Sequence, residues 1–572
     1  MTHKGGIEGL NRTLQDITGS NHLMDGVTVL LAGYLEQTLP IVPQGTYADE
    51  VEVKACLKSS ILWPNVKVLS LRVNMYVHLQ RLKMEVSQFL IATGICFLLV
   101  QFAILLWTRR KFPPGPVPFP LFGSLWRTGW KIRQDTFMKL IDTYGNVFTF
   151  WIGHTPVIVL TGFKAVKIGL VTNSEVMCER PIFPFSKILG GGKGIMFSNG
   201  KTWRQQRQFG NMTLQKLGDM KKSLEEHIQE ETTRLVKTFA QAKGQPLDPS
   251  LLIMHSATQM IHTAVFGEPV LKVDDMFQNL VEHISNITKC RGTFGEMIYN
   301  IFPSLVEYLP GPHKKANSSF EFMISYIKKK MGNSKYSQAS HEPQSYVDFY
   351  LAHMDNEKKD STSTFQEENL VQVIVDLFLA GTDTIAVTLS WALFFMGVHP
   401  NIQEKVQEEI QNALDPQKPI CYEDRKKLPY TYAVLHEAQR LSSITLSTLF
   451  RLCAIDLNVL EFYIPKGSLV IPDLCSVLLD PKQWEVPRQF NPNHFLDQDG
   501  KFVPREDFLI FGTGSRECLG KTLAQMELFI FFTNLMKTFT FQRPEELKAF
   551  NMEDVIEAGM QLSPLKICAV PR

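Results

Sequence analysis

Ten residues near the C-terminus, Phe511-Gly-Thr-Gly-Ser-Arg-Glu-Cys518-Leu-Gly520, set the tightest condition on how this chain can fold. They read as a tight loop that presents the Cys518 sulfur to an iron. An apolar stretch with helical spacing follows, through Leu523, Met526, Phe529 and Ile530. A thiolate in an apolar site needs help to stay ionised. The N-terminus of the following helix supplies it, through free backbone N–H groups and the positive end of the macrodipole. Gly514 lets the backbone turn close to a flat cofactor with no side chain in the way. Arg516, two residues before the sulfur, is expected to meet an anionic group on that cofactor.

The spacing F-x-x-G-x-R-x-C-x-G resembles the haem-binding loop of the cytochromes P-450, the haem-thiolate monooxygenases, and the resemblance runs over residues 84–572. The phrasing is nearest the vertebrate microsomal family-2 enzymes, particularly their fatty-acid epoxygenase and drug-oxidising branches. The resemblance implies a mainly α fold with a small β region, preceded by a single N-terminal transmembrane helix. It implies haem b as cofactor and Cys518 as the axial iron ligand, whose thiolate pushes electron density onto iron.

Trp203 and Arg207 stand at i and i+4, so a helix would put them on one face. Both donate and neither accepts, which suits a carboxylate. The family pattern W-x-x-x-R matches them and implies contacts with a haem propionate. Glu437 and Arg440 form an i, i+3 pair that, taken alone, reads as an ordinary solvated pair. By resemblance it is buried behind the haem loop and joined by a third partner, here His494. Family-2 chains usually carry two prolines after this segment; this chain has Leu446 and Phe450 instead, with Arg451 in the basic position that contacts a propionate. Ile510 also stands where proline is usual.

Glu367–His399 has the pattern of a long helix ending at Pro400, with Ala380-Gly381-Thr382-Asp383-Thr384 in its middle. Glycine inside a helix costs about 1 kcal/mol relative to alanine, so a packing or functional reason is expected. Ala380 and Gly381 would leave a shallow groove for a diatomic ligand and water. The Thr384 hydroxyl could bond the Ala380 carbonyl four residues back. An acid beside an alcohol is what proton delivery to bound dioxygen requires, so Asp383 and Thr384 are the catalytic candidates. The family motif [AG]-G-x-[DE]-T matches in full.

Asn146–Thr161 alternates β-branched and aromatic residues about Gly153-His154, the pattern of a hairpin. Leu214–Ala240 places Leu217, Met220, Leu224, Ile228, Leu235 and Phe239 near helical spacing. Val86–Trp107 is 22 residues without a charge. Such a helix spans about 33 Å, enough for a hydrocarbon core of about 30 Å. Arg109-Arg110-Lys111 follows and should stay cytoplasmic, placing the large C-terminal part in the cytosol. Pro113-Pro114-Gly115-Pro116 then forms a stiff connector. Three parts result: an atypical extension over 1–83, an anchor with its basic flank over 84–112, and a haem-thiolate monooxygenase domain over 113–572. The extension does not resemble the family, and Met84 is where a family-2 chain would be expected to start.

Charge is balanced, 59 basic residues against 57 acidic, which argues against nucleic acid as a partner. Nine scattered cysteines without CxxC pairs fit reduced thiols rather than a disulfide framework. The expected enzyme uses O2 and NADPH-derived electrons to hydroxylate or epoxidise lipophilic substrates such as polyunsaturated fatty acids, steroids or xenobiotics. By resemblance its partners are a diflavin NADPH–cytochrome P-450 reductase, docking near Lys201, Arg204 and Lys521, with cytochrome b5 and membrane lipid. Its place is the endoplasmic reticulum membrane. The pocket should be lined from the loop over 180–194, the helix turn over 378–384, the strand over 444–449 and the turn over 559–562, with Phe183, Phe185, Ile188, Leu189, Phe378, Ala380, Ile444 and Leu446 in its wall. Two other readings are a reductase-independent isomerase or dehydratase acting on peroxides, against which the acid–alcohol pair counts, and a non-catalytic haem-binding protein.

Overall fold

The computed structural model describes residues 75–128, 137–219, 221–270, 274–334, 343–357, 360, 362–442, 450–544 and 566–572. Two units are distinguished, Met1–Cys96 and Phe97–Arg572. Helix α1, Met75–Arg109, runs through the boundary between them. Its apolar side chains lie open: Phe89 is 71% exposed and Trp107 62%. Its charge-free stretch, residues 86–107, with aromatics outside, has the surface of a membrane span, not of a core helix. Past Arg109 the prolines stop the helix, and Arg109 Nη2 donates to Gly115 O at 2.8 Å.

In the second unit the sequence hairpin is present. Strand β1, Val147–Ile152, pairs antiparallel with β2, Thr155–Thr161, from Val147↔Leu160 to Ile152↔Thr155. Gly153 turns it at φ +59°, a conformation glycine adopts without strain. Helices α2 (Gly200–Asp219), α3 (Lys221–Gln241), α4 (Pro249–Phe266) and α5 (Asp275–Cys290) follow. The stripe expected over Leu214–Ala240 is divided between α2 and α3, and Leu217, Ile228, Leu235 and Phe239 are buried; Met220 lies outside the described residues.

Helix α6, Glu367–Val398, is the spine of the domain. Glu367 and Glu368 occupy its first turn, where the macrodipole favours acids, and Pro400 follows its end. It is apolar enough to cross a membrane, yet Phe378, Trp391, Phe394 and Phe395 are all 1% exposed or less. It is therefore a core helix. Helix α7 (Pro429–Ser442), strands β3 (Arg451–Leu452) and β4 (Leu469–Asp473), and helix α8 (Lys521–Thr538) complete the frame. The main sheet has the order β1-β2-β4-β3, with β4 parallel to β2 and antiparallel to β3. A second sheet sets Ile567–Pro571 between Pro246–Leu247 and Phe539–Gln542. The result is the expected mainly helical fold with a small β region.

Gly381 has a packing reason. A Cβ there would lie 2.4 Å from Ile261 Cδ1 of α4, so glycine allows α6 and α4 to touch. Ala380 and Gly381 both line an internal cavity, as the groove expected from two small residues requires, while the missing side chain of Gly381 faces the neighbouring helix.

Candidate active site

The Cys518 loop closes on itself through Cys518 N–H to Phe511 O at 2.8 Å. Gly520 is the N-cap of α8, so the sulfur sits just before a helix start, as expected. Its accessible surface opens into a large internal cavity of about 1630 Å³. Burial raises the thiol pKa, while the Gly520 amide and the Arg207 charge pull it back down. Gly514 has φ +76°, but a Cβ on it would lie 1.9 Å from Leu170 O. The glycine is required there by the chain packed behind the loop, which corrects the expectation that it makes room for the cofactor. Gly512 and Gly520 line the cavity, and a Cβ on either would meet nothing within 4 Å.

Three cationic side chains expected from sequence, Arg207, Arg451 and Arg516, line that cavity beside Trp203. The Arg516 guanidinium lies 4.1 Å from the Trp203 ring and donates to Cys178 O (2.7 Å), Ile195 O (2.9 Å) and Ser198 O (2.6 Å). Burial, then the charge of Arg451, lowers its pKa to about 9; burial lowers that of Arg451 to about 10. Arg207 donates to Glu517 O at 2.5 Å. Arg180 belongs to the loop expected in the lining, but the sequence gives its side chain no place among the propionate contacts. It is 6% exposed, lines the same cavity, donates to Phe450 O at 2.9 Å and has a buried Nε without a partner. The arginine just before Pro181 gave no local pattern that would mark it.

This donor set fits haem b. The buried Trp203 Nε1 has no hydrogen-bond partner, and Arg180, Arg207 and Arg516 form no ion pair with a described carboxylate. Clustered cations, two buried and two half-buried, call for an anion, and the propionates of haem would supply it. The open faces of Gly512 and Gly520 leave space for a flat ring beside Cys518, whose sulfur is the one in the lining, among the described residues, that is not methionine's.

Across the same cavity wall, α6 contributes Ala380, Asp383 and Thr384. Thr384 Oγ1 donates to Ala380 O at 2.6 Å, the bond anticipated from the four-residue spacing. Burial raises the pKa of Asp383; Arg291 and Lys289 act against that rise. Phe183, Phe185 and Leu189 line the cavity, and Phe183 meets Phe450 edge-on at 5.1 Å between centroids. Phe378 does not belong with them. It is fully buried, 6.5 Å from the Phe266 ring, and is a core residue. Ile188 likewise packs against the core. Ile444, Leu446 and the 559–562 turn lie outside the described residues. Ile510 is 7% exposed and reaches the lining without a proline's restraint.

Glu437, Arg440 and His494 come together, as the resemblance implied. Glu437 Oε1 takes Arg440 Nη2 at 2.7 Å and lies 3.1 Å from His494 Nδ1. Burial works to raise the Glu437 pKa, but Arg440 and His494 outweigh it and hold the carboxyl below its usual range.

The Cytochrome P450 family model matches residues 113–569. The chain is similar to cytochrome P450 2J5 of Mus musculus, 37% identical over 81% of this chain and 92% of the relative. Similarity to cytochrome P450 2J2 of Homo sapiens is 34% over 81% and 92%. With cytochrome P450 2C7 of Rattus norvegicus it is 34% over 85% and 100%. A second model, PIF1-like helicase, matches residues 1–90. That match covers the extension, which does not resemble the monooxygenases. A single cysteine at a helix start, a buried arginine cluster beside it and an acid–alcohol pair on the facing helix agree with these likenesses: the chain belongs to the cytochrome P450 family, and is a haem-thiolate monooxygenase.

Proposed function

We propose that this protein hydroxylates or epoxidises lipophilic substrates, with electrons passed from NADPH by a separate diflavin reductase. One observation carries the reading: Cys518, the Asp383–Thr384 pair and the apolar side chains Phe183, Phe185 and Leu189 all line one cavity. Haem held by the Cys518 thiolate supplies the iron that binds and activates O2. Trp203, Arg207, Arg451 and Arg516 hold its propionates. The Thr384 proton is engaged by Ala380 O, so its oxygen is left to accept a hydrogen bond from cavity water. Asp383, with its pKa raised by burial, exchanges protons with that water and passes them toward the reacting oxygen. The apolar wall excludes bulk water and orients an alkyl or ring substrate. Polyunsaturated fatty acids are the substrate class favoured by the relatives' likeness, with steroids and xenobiotics as outcomes of the same screen.

The anchor is proposed to cross the endoplasmic reticulum membrane once, leaving the catalytic domain in the cytosol. The Arg109–Lys111 cluster supports that orientation. Exposed Phe302, Leu305, Tyr308 and Leu309 support a further contact with lipid. Lys201, Arg204 and Lys521 are exposed near the cysteine loop in sequence or on the Trp203 helix, which suits docking of an acidic reductase face, and cytochrome b5 could use the same cations. The domain division follows: extension 1–83, anchor 84–112, monooxygenase 113–572, the last boundary supported by the start of the family match.

The test is NADPH oxidation by holoprotein with purified reductase, read together with oxygenated product and a spectral binding screen of lipids. Substrate-dependent NADPH consumption with product is the expected result. Turnover of a hydroperoxide without reductase, and none with it, would overturn the reading.

A further inference from the structure

The glycine-rich turn over 190–198 is held from two sides by opposite charges. From α6, Asp376 Oδ2 accepts Ile195 N–H at 2.7 Å and Met196 N–H at 2.9 Å, and its Oδ1 accepts Gln372 Nε2 at 3.0 Å. From the Cys518 loop, Arg516 donates to Ile195 O at 2.9 Å and Ser198 O at 2.6 Å. The peptide unit between Ile195 and Met196 therefore gives its N–H to the carboxylate and its C=O to the guanidinium. In a trans peptide these two groups point in opposite directions, so the unit lies in line between the charges and is polarised by both. Asp376 is buried at the cavity wall, 6% exposed, with a pKa raised by burial to about 6. The turn fits because residue 194 is glycine: its φ is +72°, and a Cβ would lie 2.5 Å from Asp376 Oδ2.

We infer that Asp376 is a positioning residue for the haem grip, acting through the Ile195–Met196 peptide to hold the Arg516 guanidinium against Trp203 at the cavity wall. This rests on the reading that Trp203, Arg207 and Arg516 hold the propionates. It gives the long helix that carries Asp383 and Thr384 a mechanical tie to the loop that carries Cys518. It also gives the buried arginine cluster a nearby negative charge that touches none of its members. Asparagine at 376 would remove that charge and set an NH2 group against Ile195 N–H, Met196 N–H or Gln372 Nε2, all of them donors.

The test uses the full-length holoprotein and reads haem transfer to excess apomyoglobin together with the ferric–ferrous midpoint potential. Asp376→Asn should speed haem loss about tenfold, the effect of losing a charge-assisted hydrogen bond. It should also raise the midpoint potential, because a buried negative charge has gone. The thiolate-type carbon-monoxide band should stay in place. Asp376→Glu should restore part of both values. Arg516→Lys should speed haem loss as well, and in the double variant the two effects should fall short of their product, because both act on one peptide. If D376N yields no holoprotein, Gly194→Ala, which displaces the turn and keeps both charges, should speed haem loss in the same way. Haem loss unchanged in D376N or G194A while R516K accelerates it would overturn the inference and leave the propionate reading standing. No change in any variant would overturn both, and full additivity in the double variant would overturn the tie between Asp376 and Arg516.

Discussion

Glu437 and Arg440 meet in two hydrogen bonds, Nε to Oε2 at 2.8 Å and Nη2 to Oε1 at 2.7 Å, with neither side chain exposed. Arg440 also donates to Leu478 O and Pro487 O, both at 2.7 Å, and Glu437 Oε1 accepts Asn491 N–H at 2.9 Å. One side-chain pair on α7 thus gathers the chain on both sides of Trp484. A pair this deep specifies an arrangement more than it adds net stability, but breaking it leaves an uncompensated buried charge.

Glu437→Gln should therefore cost about 3–5 kcal/mol. The expected readout is a large fall in the thermal midpoint of the holoprotein, with haem lost at the same temperature. A variant as stable as the parent would mean that Arg440 is satisfied by the carbonyls alone.

The second prediction concerns the iron ligand. Reduced, carbon-monoxide-bound protein should show the strongly red-shifted Soret band of thiolate ligation, and Cys518→His should abolish both that band and monooxygenation. A parent spectrum like that of a histidine-ligated haem protein would sink the assignment of Cys518.

Asp473, at the end of β4, carries the third. Its side chain is fully buried, facing the Cys475 and Ser476 amides without well-formed hydrogen bonds to them. Burial raises its pKa from 3.8 to about 7, against a weaker lowering by the Cys475 and Ser476 amides. Between those values the folded protein keeps a proton that the unfolded chain has released. The sign follows: stability from this group is full below pH 4 and is lost as pH rises through 7. Asp473→Asn should raise the thermal midpoint at pH 8, by at most about 4 kcal/mol of stability, and the difference should fade toward pH 4. A pH-independent difference would contradict this.

What could be read from the chain beforehand is what local spacing controls. The hairpin about Gly153, the extent of α6 and the Thr384–Ala380 bond all depend on residues a few positions apart. The cavity roles expected of Gly514 and Phe378, and the packing reason for Gly381, turn on partners remote in sequence. Leu170 abuts Gly514, Ile261 abuts Gly381, and Phe266 neighbours Phe378. No local pattern names such neighbours. Asp376, and Arg180 as a cation of the cluster, escape sequence reading for the same reason, since each is defined by a backbone segment that only tertiary packing brings to it.

The last prediction concerns proton delivery. Thr384 lies on the cavity wall with its hydroxyl proton committed to Ala380 O at 2.6 Å, so only its oxygen is available to hold a water. Thr384→Ala should leave folding, haem content and the carbon-monoxide spectrum nearly unchanged, because a small residue replaces a small one. Without the hydroxyl, water is less well placed to protonate the reacting oxygen, and more of the electrons should leave as hydrogen peroxide. NADPH oxidation should continue while product per NADPH falls about tenfold, equivalent to about 1.4 kcal/mol of altered partitioning. Asp383→Asn should act differently. Its carboxyl, whose pKa burial raises, supplies protons rather than placing water, so the amide should slow NADPH oxidation itself. The two variants are separated by measuring NADPH, peroxide and product together on one tightly bound substrate. Thr384→Ala that keeps the parent's ratio of product to NADPH would reduce this threonine to a packing residue, and the proton route would then have to run through Asp383 alone.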